Sequence, residues 1–315
     1  MIISASRRTD IPAYFSEWFY NRIRAGCVLV RNPMNFHQIG KISLSPDVVD
    51  GIVFWSKNPA PMIDRLDELR EYPYYFQFTL TAYGKDVEPN VPPKDDAMIP
   101  SFRRLSEKIG KEKVVWRYDP ILFNEKYTFA YHLRSFGLLA SKLAGCTEKC
   151  TVSFLDFYRK TEKNTRPLNL LKPTFPQKEE LTRRLSAIAR DYGIEVDVCA
   201  EDLDLGTFGI RPASCIDKGR LERLGGYKLK LGKDKNQRPE CGCAASVDIG
   251  AYNTCKNGCL YCYANDNPGL VNRNCLEHDP SSPLLFGKIG ENDVIKVREA
   301  RSCKDRQLNF WDFQP

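Results

Sequence analysis

Histidine is scarce in this chain, with three in 315 residues. They are His37, His132 and His278, and no Ser/His/Asp arrangement can be built around them. A phosphate loop of the Walker type is also missing. No apolar run approaches the roughly 20 residues that a membrane helix needs. The opening residues, MIISASRR, lack the basic-then-apolar order of a signal peptide and read as a first strand. These absences lead us to expect a cytoplasmic protein with no membrane association. The 42% hydrophobic and 28% charged composition is ordinary for a globular chain. At roughly 150 residues per domain, the length allows one large domain plus an appendage.

Cysteine is plentiful by contrast. There are twelve, and seven crowd into residues 215–275. In a reducing compartment, clustered cysteines signal metal or catalysis rather than disulfides. The net charge of +7 is also local. Between Lys218 and Arg238, eight basic residues face only Glu222 and Asp234. Such a stretch can hold nucleic acid or simply be a solvated loop.

Six short apolar runs read as buried strands: residues 1–5, 51–55, 74–80, 113–116, 150–155 and 194–199. Helical patterns at 14–25, 61–70, 101–109, 127–143 and 177–192 separate most of them, several closed by glycine. Alternating strands and helices predict an α/β fold with a parallel sheet. We expect a partial (βα)6 TIM-like barrel over residues 1–205, with an open doubly wound sheet as the alternative. A small β-hairpin insertion is expected at 28–33 and 37–44, and an irregular loop with three prolines at 83–93. A cysteine-rich extension, residues 206–315, is expected to fold back over the barrel mouth.

Each predicted strand runs into polar residues. Ser6, Arg7, Arg8 and Asp10 follow the first, and Lys57 the second. Gln77 and Thr79 lie on the third, Arg117 and Asp119 end the fourth, Ser153 lies on the fifth, and Glu201 and Asp202 end the sixth. In β/α barrels the active site forms at these C-terminal ends. Arg7, Asp10, Lys57, Arg117 and Asp119 are therefore the catalytic candidates. Ser6, Arg8, Gln77, Thr79, Ser153 and Glu201, with Tyr261 in the cysteine-rich segment, are the candidates for holding a cofactor. Arginine and lysine there can grip a carboxylate or phosphate, and an aspartate can hydrogen-bond a ribose. His132 reads as a packing or surface residue of a long helix.

Cys255, Cys259 and Cys262 have C-x3-C-x2-C spacing, with Gly258 to allow a tight turn. A closed [4Fe–4S] cluster takes four thiolates, so three leave one iron open. A closed cluster with a fourth cysteine is an alternative. So is zinc bound with Cys243, Cys275 or His278. Cys241 and Cys243 place two thiolates on one small turn, and Cys199 and Cys215 can complete four. That set suits a second iron–sulfur cluster, which we favour, or zinc, or is simply a group of core thiols.

With Tyr261 before its last cysteine, the motif resembles that of radical S-adenosylmethionine (SAM) enzymes, C-x3-C-x-aromatic-C. The resemblance implies a [4Fe–4S] cluster whose open iron binds SAM, reductive cleavage to a 5′-deoxyadenosyl radical, and hydrogen abstraction from a substrate in a partial barrel. It also implies an electron donor such as flavodoxin or ferredoxin, and a small-molecule or peptide substrate. A photoproduct-lyase-like action on nucleic acid and a non-catalytic zinc or iron–sulfur module are the alternatives. In that superfamily the motif follows the first strand, whereas here it follows the sixth. The phrases SRRTDIP (6–12), FWSKNP (54–59), RYDP (117–120) and CLYCYAN (259–265) resemble an uncharacterised family, domain of unknown function 1848, over nearly the whole chain.

Overall fold

The alternation of short apolar runs with amphipathic stretches produces strands and helices in turn. The computed structural model describes residues 1–201, 203 and 205–305, so Asp202 lies outside the described residues. In chain order the strands are β1 (Ile2–Ala5), β2 (Cys27–Asn32), β3 (Asn35–Ser43), β4 (Gly51–Ser56), β5 (Tyr74–Thr79) and β6 (Val114–Ile121). They continue with β7 (Lys149–Phe154), β8 (Glu195–Val198), β9 (Arg211–Pro212), β10 (Ser246–Asp248) and β11 (Val294–Val297). The helices are α1 (Ile11–Tyr14), α2 (Ser16–Arg24), α3 (Ala60–Ile63), α4 (Ile99–Ile109), α5 (Phe129–Leu143), α6 (Arg159–Thr165), α7 (Phe175–Arg190), α8 (Lys218–Gly225) and α9 (Pro268–Leu276). No helix among the described residues is long and apolar enough to cross a membrane.

Eight strands form one sheet in the order β10-β1-β4-β5-β6-β7-β8-β9, and every neighbouring pair is parallel. The fold is α/β. No closed barrel is found among the described residues, because β9 and β10 do not pair. The six expected strands form its middle. Both edge strands come from beyond residue 205, in the segment expected to be an extension. The hairpin at β2 and β3 is antiparallel, and β11 adds to β3 as a third, parallel strand.

Side chains alternate between the two sheet faces, as the pleat requires. Ile3, Phe54, Phe76 and Trp116 bury one face against helical residues such as Phe19, Phe102, Phe136 and Leu185. Their neighbours Ile2, Val53, Tyr75 and Val115 bury the other face against Ile216, Leu221, Leu229, Cys241 and Cys243. The second face is thus covered by the tail. Helix starts follow local chemistry. Thr174 and Gln177 form a capping box on α7, and Thr128 caps α5. The expected helix at 14–25 starts earlier and breaks in two, because Asp10 caps a first short turn ending at Phe15.

Candidate functional site

The C-terminal ends of the parallel strands open into a cavity of about 1190 Å³. Ser6, Arg7, Arg8, Asp10, Lys57, Thr79, Arg117, Asp119 and Ser153 line it, together with Cys199, Cys215, Cys241, Cys243, Cys255, Cys259, Tyr261 and Cys262. Gln77 and Glu201 do not. Gln77 is buried behind the wall and donates to the Cys215 carbonyl at 2.9 Å. Glu201 turns away to accept from Lys178 Nζ at 2.7 Å and from the Phe154 amide at 3.0 Å.

The loop carrying Cys255, Cys259 and Cys262 docks on the ends of β1 and β4. Asp10 Oδ2 accepts from the Lys57 amide at 2.8 Å and from Asn257 Nδ2 at 3.2 Å. Tyr14 donates to Asn257 Oδ1 at 2.7 Å, and Tyr263 donates to the Arg7 carbonyl at 2.6 Å. On the other side the Leu260 amide donates to the Val87 carbonyl at 3.0 Å. Gly258 turns with φ +67°, and a Cβ there would lie 2.9 Å from Asn90 Nδ2.

Glu88 is the electrostatic centre beneath this loop. Its carboxylate accepts from Lys57 Nζ at 2.7 Å, Thr81 Oγ1 at 2.8 Å, Tyr261 Oη and Lys94 Nζ. Burial works to raise its pKa, but the two ammoniums outweigh burial and hold it down at about 2. Burial raises the carboxyl of Asp10, against the hydrogen bonds it accepts. The Cys259 thiol is pushed up to about 12 by burial, although the Lys57 cation pulls the other way. Ligation by these thiols therefore has to displace their protons.

Asp248 ties β10 to β1. It accepts from Ser4 Oγ at 2.8 Å, Ser6 Oγ at 2.6 Å, and the Arg7 and Gly250 amides at 2.8 and 2.9 Å. The guanidinium of Arg7 donates to Ser246 Oγ at 3.1 Å and lies over the Trp55 ring at 5.6 Å, while its buried Nε has no partner. That of Arg8 lies over Tyr252 at 5.1 Å. Gly250 passes so close to Ser6 that an added Cβ would lie 2.6 Å from Ser6 Cβ. Gly250→Ala is therefore expected to destabilise the protein by about 1–3 kcal/mol through overpacking. Urea unfolding checks this, and an unchanged midpoint would show that Ser6 yields freely.

The second thiol group also assembles. The sulfurs of Cys199 and Cys215 are 3.2 Å apart. The Cys243 sulfur accepts from the Ile216 amide at 3.4 Å. Arg117 Nη1 donates to Cys215 Sγ at 2.9 Å, while its Nε and Nη2 grip Asp119 Oδ2 at 3.0 and 2.8 Å. Ser153 donates to the other oxygen of Asp119. Hydrogen bonds from Cys199 and Cys243, with the Arg117 cation, favour the thiolate of Cys215. Among the described residues, no group of three or more His, Cys, Asp or Glu side chains is placed so that it could hold a metal ion.

Residues 2–264 match the model of a family described as Domain of unknown function (DUF1848). The chain belongs to the DUF1848 family. The matched residues include all seven cysteines that line the cavity. No curated protein matches this DUF1848 chain.

Sequence reasoning missed Glu88, Asp248 and Asn257. Glu88 lay in the proline-bearing loop that read as irregular, and Asp248 in a strand of three residues. The remaining ligand candidates turn elsewhere in the DUF1848 fold. Cys275 donates to the Thr254 carbonyl at 3.3 Å, and His278 hydrogen-bonds to the Leu285 carbonyl at 2.6 Å. His132 is a packing residue: fully buried, it lies between Tyr118 Oη and the Leu122 carbonyl.

Proposed function

We propose that this chain is a radical SAM enzyme whose [4Fe–4S] cluster is held by Cys255, Cys259 and Cys262. The observation that carries the reading is the shared cavity: these three cysteines and the polar strand ends face one space. The local chemistry fits an anionic cluster. The Cys262 sulfur accepts from the Ala264 amide at 3.3 Å, and the Lys57 ammonium stands near enough to Cys259 to oppose the rise in its pKa that burial causes. Such a cluster, when bound with one iron left open, supplies one-electron reduction of the SAM sulfonium.

The chain's own residues divide into two roles in this proposal. Asp10, Lys57 and Tyr261 are positioning residues that hold the cysteine loop through Asn257 and Glu88. Arg7 and Arg8 offer cations to carboxylate or phosphate groups. Asp119, Ser153 and Thr79 offer polar partners for hydroxyl groups. At about 1190 Å³ the cavity is somewhat larger than the roughly 300–1,000 Å³ usual for ligand pockets. That volume suits SAM together with a small-molecule or peptide substrate. We read the parallel sheet as a partial (βα)6-type barrel with residues 206–315 lining its mouth, and take flavodoxin or ferredoxin as the kind of electron donor.

The nucleic-acid alternative draws less support. Part of the basic stretch is engaged within the chain, although the side chains of Lys218, Lys228 and Arg238 stay exposed. Arg220 is buried, Lys218 and Lys228 face Glu222, and Arg238 meets Asp156 at 2.8 Å.

The test is anaerobic reconstitution, reduction with dithionite, and electron paramagnetic resonance with and without SAM. A reduced-cluster signal that changes on adding SAM, and is absent from the Cys255/Cys259/Cys262→Ala variant, is expected. A signal indifferent to SAM, or zinc in place of iron at these cysteines, would overturn the reading in favour of a non-catalytic metal module.

A further inference from the structure

The four remaining thiols on the cavity wall are separate from the cysteine loop on the β1 and β4 ends. Cys199 follows β8, Cys215 follows β9, and Cys241 and Cys243 share one turn. All four are free, and Cys215, Cys241 and Cys243 are buried. The sulfurs of Cys199 and Cys215 are 3.2 Å apart, and all four cysteines belong to one packed cluster. Four cysteines from three separate segments meet at one spot beside a buried guanidinium.

The spacing distinguishes the kinds of metal centre. A single ion with metal–sulfur bonds of about 2.3 Å holds its four thiolates about 3.8 Å from one another in a tetrahedron. A cubane cluster binds its thiolates through four separate irons, so they stand well apart. A sulfur pair 3.2 Å apart is close to the first arrangement and far from the second. To surround one ion, the sulfurs have to lose their protons and turn to a common centre.

The surroundings suit the resulting negative charge. Arg117 donates to Cys215 Sγ at 2.9 Å and the Ile216 amide donates to Cys243 Sγ at 3.4 Å. Such outer partners orient ligands and offset ligand charge. Gln77 and Tyr75 both donate to the Cys215 carbonyl, at 2.9 and 2.6 Å, and fix the backbone that presents this sulfur.

We infer that Cys199, Cys215, Cys241 and Cys243 bind a single thiophilic divalent cation, zinc above all, as a tetrathiolate site on the cavity wall. This departs from the expectation of a second iron–sulfur cluster there. The ion would join the end of β8, the segment after β9 and the 241–243 turn to Arg117 on β6. The inference does not depend on the radical SAM reading.

The full-length Cys255/Cys259/Cys262→Ala variant isolates this site. Titrating it anaerobically with cobalt(II) is expected to give about one equivalent of bound metal with thiolate charge-transfer and tetrahedral d–d absorption, displaced by zinc. Adding Cys215→Ser and Cys243→Ser is expected to abolish both features. Alkylation of the unmodified protein gives a second readout that does not depend on those variants folding. Zinc is expected to protect all four cysteines from iodoacetamide, and a chelator to expose them. Absorption without thiolate character, absorption that survives the serine substitutions, unprotected thiols, or iron with acid-labile sulfide at this site would each overturn the inference.

Discussion

Glu88→Ala is expected to lower the stability of this protein by about 3–5 kcal/mol, the penalty for breaking a buried ion pair and leaving a charge behind. The carboxylate is 1% exposed and holds Lys57, which is itself buried, together with Lys94, Thr81 and Tyr261. Its removal strands the Lys57 ammonium and releases the tyrosine that anchors the cysteine loop. The same group fixes one limb of the acid response. Its pKa falls from 4.5 to about 2 on folding. Because the folded value is depressed, the stabilisation is complete above about pH 4.5 and is lost as pH falls towards 2, by about 3 kcal/mol in all. Urea unfolding of wild type and variant at neutral pH measures the first quantity. A loss below about 1 kcal/mol would mean that the cluster of charges behaves as a solvated surface pair.

A second acid limb is expected at higher pH, from His132. The ring is fully buried between Tyr118 Oη at 2.9 Å and the Leu122 carbonyl at 2.8 Å. Burial, opposed by the hydrogen bond to Leu122, lowers its pKa from 6.5 to about 4. The unfolded chain takes up this proton below about pH 6.5, whereas the folded chain resists until about 4. Stability therefore falls with pH across that window, by about 3 kcal/mol, and levels off beneath it. The two limbs overlap only between about pH 4.5 and 4, so they can be separated. His132→Phe loses two hydrogen bonds and is less stable at neutral pH, but its unfolding free energy is expected to be flatter between pH 6.5 and 4. An unchanged slope in that variant would assign the acid sensitivity to other groups.

The legible parts of the fold were those with local periodicity. Residues 51–55 and 74–80 carry enough consecutive apolar side chains to declare a buried strand, and both are central in the sheet. The edge strands β9 and β10 have two and three residues, too few for any alternation to register. The cysteine spacing was legible because ligands on one loop are near in sequence by necessity. The partners beneath that loop were not. Glu88 meets Lys57 across 31 residues and Tyr261 across 173, and no local pattern marks a carboxylate that is matched only by folding. Arg117 was legible as a strand-end cation. Its contact with Cys215, 98 positions away, was not.

The pairing of β1 with β10 carries a consequence for how the molecule is made. Ser4 waits for Asp248, 244 residues later in the chain, and until then one edge of β1 presents unpaired backbone groups. Contacts of such sequence separation close slowly. The loop with Cys255, Cys259 and Cys262 follows β10 directly, so it reaches its seat only when that edge is zipped. A chain still short of β10 therefore has neither the completed sheet edge nor these three thiols, and in chain order the frame precedes the loop.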